Sequence, residues 1–95
     1  MTPLFAVNTS PHFERLYKKL VKQHRKLPKL LSEAIAILET DPFNRSQRYL
    51  IKKLTGPQQE GQYRLSLGRW RFRYDIVART VELKYCGLRR EETYR

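Results

Sequence analysis

The stretch Gly61-Gln-Tyr-Arg-Leu-Ser-Leu-Gly-Arg-Trp-Arg-Phe-Arg-Tyr-Asp-Ile76 decides how this chain folds. Apolar and basic residues alternate along it with period two. A strand sends successive side chains to opposite faces, so one face can be packed while the other carries a row of guanidinium groups. Tyr63, Leu65 and Leu67 mark the inner face of a first strand, and Trp70, Phe72, Tyr74 and Ile76 that of a second. Val81, Leu83 and Tyr85 continue the pattern into a third. The connections Gly68-Arg69 and Ala78-Arg79-Thr80 are short, which implies antiparallel neighbours. The predicted outer face then shows Arg64 and Ser66, Arg71, Arg73 and Asp75, and Glu82, Lys84 and Cys86.

Upstream, the short apolar segment Leu4-Phe-Ala-Val-Asn8 suits a strand. Ser10-Pro11 follows as a helix start, with Ser as N-cap and Pro at the first helical position. Phe13, Leu16, Tyr17, Leu20 and Val21 recur at helical spacing and form one apolar stripe. Pro28 interrupts that pattern. A second helix follows through Leu30, Leu31, Ala34, Ile35 and Leu38, closed by Asp41-Pro42. The two helices are expected to form a hairpin against the sheet. Residues 41–62 have no regular pattern, and no repeat or linker divides the chain, so residues 1–95 are read as a single domain.

The chain holds 20 Lys and Arg against 9 Asp and Glu, a net charge of +11. Its pI is near 10.2. That bias is the electrostatic footprint of a phosphate-binding protein, or of one held by an acidic partner. One cysteine, Cys86, excludes an internal disulfide and a cysteine-cluster metal site. His12 and His24 form no ligand motif and read as surface helix residues. No apolar run approaches the ~20 residues of a membrane span. The N-terminus lacks the pattern of a signal peptide, and the expected location is cytoplasmic. Neither a metal nor a small-molecule cofactor is expected.

The order strand, two helices, three strands, together with Lys53-Leu-Thr-Gly56, Tyr63-Arg-Leu-Ser-Leu-Gly68, Trp70-Arg-Phe-Arg-Tyr74 and Gly87-Leu-Arg-Arg-Glu-Glu-Thr-Tyr94, resembles the RelE/ParE superfamily of bacterial toxins. The resemblance runs over nearly the whole chain. It implies an α+β, RelE-like fold: a twisted, mainly antiparallel sheet in β-α-α-β-β-β order, with a helical hairpin packed on one side. It also implies a toxin held inactive by a cognate antitoxin protein. RelE-type members cleave mRNA in the ribosomal A site, which makes mRNA and rRNA expected partners. ParE-type members share the fold but poison DNA gyrase, the alternative activity. A third alternative is a member that only binds its antitoxin or operator.

Position by position, the resemblance assigns Arg64 and Arg71 to the catalytic face, Arg89 to a general acid or phosphate clamp, and Tyr94 to stacking on a base. Where RelE-type nucleases often carry a second basic residue, proposed as general base, this chain has Ser66. Arginine does not give up its proton in practice. The proton acceptor is therefore expected among Lys84, placed by strand parity, and Tyr94. Arg73 and Arg90 are further candidate RNA contacts, as are Lys52 and Lys53, for which a solubilising role stays open. The cations of the first helix, Arg15, Lys18, Lys19, Lys22, Arg25 and Lys26, are either a solvated face or a contact to rRNA or the antitoxin.

Overall fold

The computed structural model describes residues 4–56 and 61–89. Seven elements follow in order: β1 (Ala6–Thr9), α1 (Pro11–Val21), α2 (Leu27–Thr40), β2 (Leu50–Lys53), β3 (Tyr63–Leu67), β4 (Trp70–Val77) and β5 (Thr80–Leu88). The strands form one five-stranded sheet in the order β1-β5-β4-β3-β2. β1 runs parallel to β5, and every other pair is antiparallel.

The local chemistry expected at the first helix is present. Ser10 Oγ accepts from the Phe13 N–H at 3.0 Å, and Pro11 occupies the first turn. One side of α1 buries Phe13 completely and Leu16, Tyr17, Leu20 and Val21 in part. Pro28 does not precede the second helix but lies in its first turn, since α2 begins at Leu27. A proline is tolerated there because the N–H it lacks would have no intrahelical acceptor. Leu27, Ala34 and Leu38 are fully buried beneath it. His24 is not on a helix surface as expected. It lies in the α1–α2 connection with its ring edge-on to Trp70, centroids 5.0 Å apart.

The stretch that lacked a pattern is organised by side chains. Asp41 Oδ1 accepts from the Arg45 N–H at 2.8 Å, and its Oδ2 accepts from the Ser46 hydroxyl at 2.6 Å. Asn44 then clamps Tyr49 both ways, donating from Nδ2 to Tyr49 O at 2.8 Å and accepting from Tyr49 N–H at 3.1 Å. This loop delivers β2 to the edge of the sheet, adding a strand to the expected order.

The core lies between the helices and one face of the sheet. Leu65, Phe72, Tyr74, Val81 and Leu83 are all 0% exposed. The Tyr74 hydroxyl donates to Pro42 O at 2.7 Å, tying the sheet to the end of α2. Burial drives the Tyr74 phenol well above its ordinary range, with Tyr63 and Asp41 adding to the effect.

One irregularity changes the reading of β5. Pairing runs Tyr74 with Leu83, then Arg73 with Tyr85, so Lys84 has no opposite residue. This is a β-bulge, with two residues facing one. Beyond it the strand changes phase. Cys86 sits opposite Phe72 and is 1% exposed. The expectation that Tyr85 points inward and Cys86 outward is therefore reversed. Tyr85 shares the arginine face, while Cys86 fills the core.

Candidate nucleic-acid interface

The face of the sheet turned away from the helices carries two cross-strand rows. In the first, Lys52 lies opposite Arg64, Arg64 opposite Arg73, and Arg73 opposite Tyr85. In the second, Leu50 lies opposite Ser66, Ser66 opposite Arg71, and Arg71 opposite Gly87. Directly opposite residues on one face stand ~5 Å apart and diagonal ones ~7–8 Å, within reach of long side chains. Arg64 and Arg71 are diagonal neighbours in this lattice.

Arg89 extends the second row. It follows Gly87 by two positions and shares its parity, and its N–H donates to Arg69 O at 2.8 Å, which prolongs the ladder one step. The bulge is what makes this possible. Counted from Val81 and Leu83 without a phase change, Arg89 would fall on the buried side.

Several cations hold fixed positions. Arg71 Nη1 donates to Gly68 O at 2.9 Å and to Trp70 O at 3.0 Å, which anchors the guanidinium at the β3–β4 turn. Arg73 is 3% exposed and donates from Nη2 to Gly61 O at 3.1 Å. Gly61 has φ +107°, and a Cβ there would stand 2.6 Å from Tyr74 N, so only glycine fits against the β4 backbone. Arg73, expected as an RNA contact, is thus buried as a brace between β4 and the segment entering β3.

The remaining expected residues are distributed unevenly. Lys52 is exposed in the arginine row, whereas Lys53 has the opposite parity and lies 5.8 Å over the Tyr63 ring. Lys84, at the bulge, leans to Glu82, with Nζ 3.8 Å from Oε1. Its side chain lines a depression with Asn8, Thr9 and Glu82, at the β1 side of the face. Arg90 and Tyr94 lie outside the described residues. Sequence reasoning missed two participants: Tyr85, turned outward by the bulge, and Leu50, 73% exposed beside Ser66. A signal for the first was present. The apolar residues Val81, Leu83, Cys86 and Leu88 are spaced by two, three and two positions, and the three marks the slip.

Around the end of the sheet, on the helix side, a groove of about 520 Å³ is lined by His24, Leu30, Leu67, Trp70 and Leu88, with Glu33 and Arg69 at its polar parts. Among the described residues, no group of three His, Cys, Asp or Glu is placed to hold a metal ion. No helix among them is long and apolar enough to cross a membrane.

The arrangement can do two things. Its arginines present charge and forked donors for phosphate oxygens. Its tyrosine presents a ring and a hydroxyl on the same surface.

No family model and no curated protein sequence matches the chain. A solved structure does. A chain in the crystal structure of an archaeal RelE–RelB complex from Pyrococcus horikoshii OT3 is similar over 94% of this chain and 97% of that one. The TM-score is 0.59 and the identity 22%. The mainly antiparallel sheet and the two helices on one side of it agree with the fold that the motif series implied, with β2 as an added strand, and the chain has the RelE fold.

Proposed function

We propose that this protein is the toxin of a type II toxin–antitoxin pair, acting as a metal-independent endoribonuclease that cuts mRNA on the ribosome. The observation that supports this reading is the placement of Arg64 and Arg71 as diagonal neighbours on one sheet face, with Lys52 beside them and Arg89 continuing the ladder past Gly87. Metal-free RNA cleavage uses the ribose 2′-hydroxyl against the adjacent phosphate, a group that DNA lacks. Negative charge grows on the phosphate oxygens and on the leaving 5′-oxygen. Preorganised guanidinium donors stabilise that charge, and loss of one such donor costs about a hundredfold or more in rate. Arg71, anchored by two carbonyls, is preorganised in this sense.

In this reading Arg64 and Arg71 hold the phosphate, Arg89 neutralises the leaving oxygen, and Lys52 steers the RNA backbone. Arg90 and Tyr94 keep their assigned roles as an RNA contact and a stacking platform. A cognate antitoxin with an acidic segment covers the face and silences it. The similar RelE chain was solved as a RelE–RelB complex, which supports a partner of that kind.

Primer extension on mRNA from induced cells tests the reading. Cuts within translated frames are expected, and Arg89→Ala should remove both the cuts and growth arrest while leaving the protein folded. Growth arrest by Arg89→Ala at equal expression would remove Arg89 from the mechanism.

One observation favours the gyrase-directed alternative. Ser66 lies opposite exposed Leu50, an uncharged pair better suited to a protein surface than to proton transfer. DNA-damage signalling with translation intact on induction would select it.

A further inference from the structure

The phase slip in β5 puts a phenol on the sheet face that carries the proposed chemistry. Tyr85 lies opposite Arg73, and Gly87 lies opposite Arg71. A Cβ built on Gly87 would collide with the Tyr85 hydroxyl and stand 2.9 Å from its Cζ. The ring therefore folds along the strand, and its hydroxyl rests over Gly87, in the row of Ser66 and Arg71. Any side chain at position 87 would occupy that space.

Among the described residues the other candidates are poorly suited, and Tyr94 lies outside them. Arginine keeps its proton. The Ser66 hydroxyl is too weakly acidic to become a base unaided. Lys84 is drawn to Glu82. Resting on the nuclease reading, we infer that Tyr85 is a catalytic residue: its oxygen accepts the proton of the attacking ribose 2′-hydroxyl, and Gly87 is the notch that seats it.

The step balances as follows. The phenolate oxygen of Tyr85 takes the 2′-hydroxyl proton as the O2′–phosphorus bond forms. The phosphorus–O5′ bond breaks, giving a 2′,3′-cyclic phosphate, and the leaving 5′-oxygen takes a proton from water. The hydroxide so formed takes the proton back from Tyr85. The charged residues that the register places on this face are Arg71, Arg73 and Asp75 from β4, Arg64 from β3, Lys52 from β2, and Glu82 and Lys84 from β5 with Arg89 just beyond it, Glu82 being paired with Lys84.

The test is single-turnover cleavage of mRNA bound to programmed ribosomes, across a pH series. Tyr85→Phe keeps the ring and removes the oxygen. It should slow cleavage by about a hundredfold or more, the usual contribution of a positioned proton-transfer group. It should also abolish the rising limb of the pH–rate profile and leave ribosome binding within about twofold. Gly87→Ala should slow cleavage similarly, and the double variant should be no slower than the slower single one, because both changes remove the same oxygen. Far-ultraviolet circular dichroism checks that Gly87→Ala folds, and Tyr85→Phe carries the test if it does not. Wild-type rate and pH profile in Tyr85→Phe, with Arg71→Ala inactive, would overturn this assignment and leave the nuclease reading standing. No cleavage by the wild-type protein would overturn both.

Discussion

At the scale of single residues, burial decides which polar groups can act. Cys86 is the clearest case. Its thiol is 1% exposed, and desolvation pushes it up to about 12. The thiolate is the reactive form, so native protein should leave a thiol reagent such as dithionitrobenzoate unreacted at pH 8, with full reaction after denaturation. Fast native labelling would contradict the inward phase of Cys86. Asp41 shows the opposite sign. Partial burial pushes its carboxyl upwards, but the Ser46 hydroxyl, the Arg45 and Ser46 N–H groups and the nearby charge of Arg48 outweigh that and hold it below the ordinary value. A carboxyl lowered in the folded state contributes stability that is complete above its unfolded value near 3.9 and is lost as pH falls through the folded value. Denaturant melts of Asp41→Asn should therefore differ from wild type at neutral pH and converge with it in acid.

At the scale of elements, turns and caps set where the strands and helices begin. Ser10 caps α1 through the Phe13 N–H, and Ser10→Ala should lower stability by about 1 kcal/mol in urea unfolding. Ala78, in the β4–β5 turn, has φ 55°. A side chain in that left-handed region is strained by ~1–2 kcal/mol, and glycine is not. Ala78→Gly should thus raise the melting temperature, and a fall would show that the turn relaxes without strain. The bulge at Lys84 acts at this scale too. By adding one residue to β5 it keeps Leu83 and Cys86 in the core and brings Tyr85, Gly87 and Arg89 together on the other face. Without the extra residue, either the core or the arginine lattice would be lost.

At the scale of the whole molecule, the charge of +11 is divided between two sides. The helix side carries the exposed Arg15, Lys18, Lys19, Lys22, Arg25 and Lys26, and the sheet side the arginine lattice. Phosphate contacts release counterions, so affinity for RNA should fall linearly on a plot of log K against log salt. Each phosphate-contacting cation removed should reduce the slope by about one. Lys52→Ala and Lys18→Ala make a useful pair. The first should flatten the salt dependence for a short single-stranded RNA, and the second should not, if the sheet face alone holds the substrate.

Period-two alternation from Tyr63 to Ile76 determined by itself that this face would pair a core with a row of arginines, because pleat geometry is local. Ser10-Pro11 likewise determined the start of α1, since a cap needs only its own first turn. The general fold was legible from those signals and from the motif series. Three features were decided only in three dimensions. β2 is held by the Asp41 and Asn44 side-chain clamps and by its pairing with β3, so its own pattern did not reveal it. Arg73 is buried because Gly61, twelve positions earlier, offers its carbonyl. Tyr85 faces the arginines because the β4–β5 register absorbs one extra residue, and register belongs to a pair of strands rather than to either strand alone.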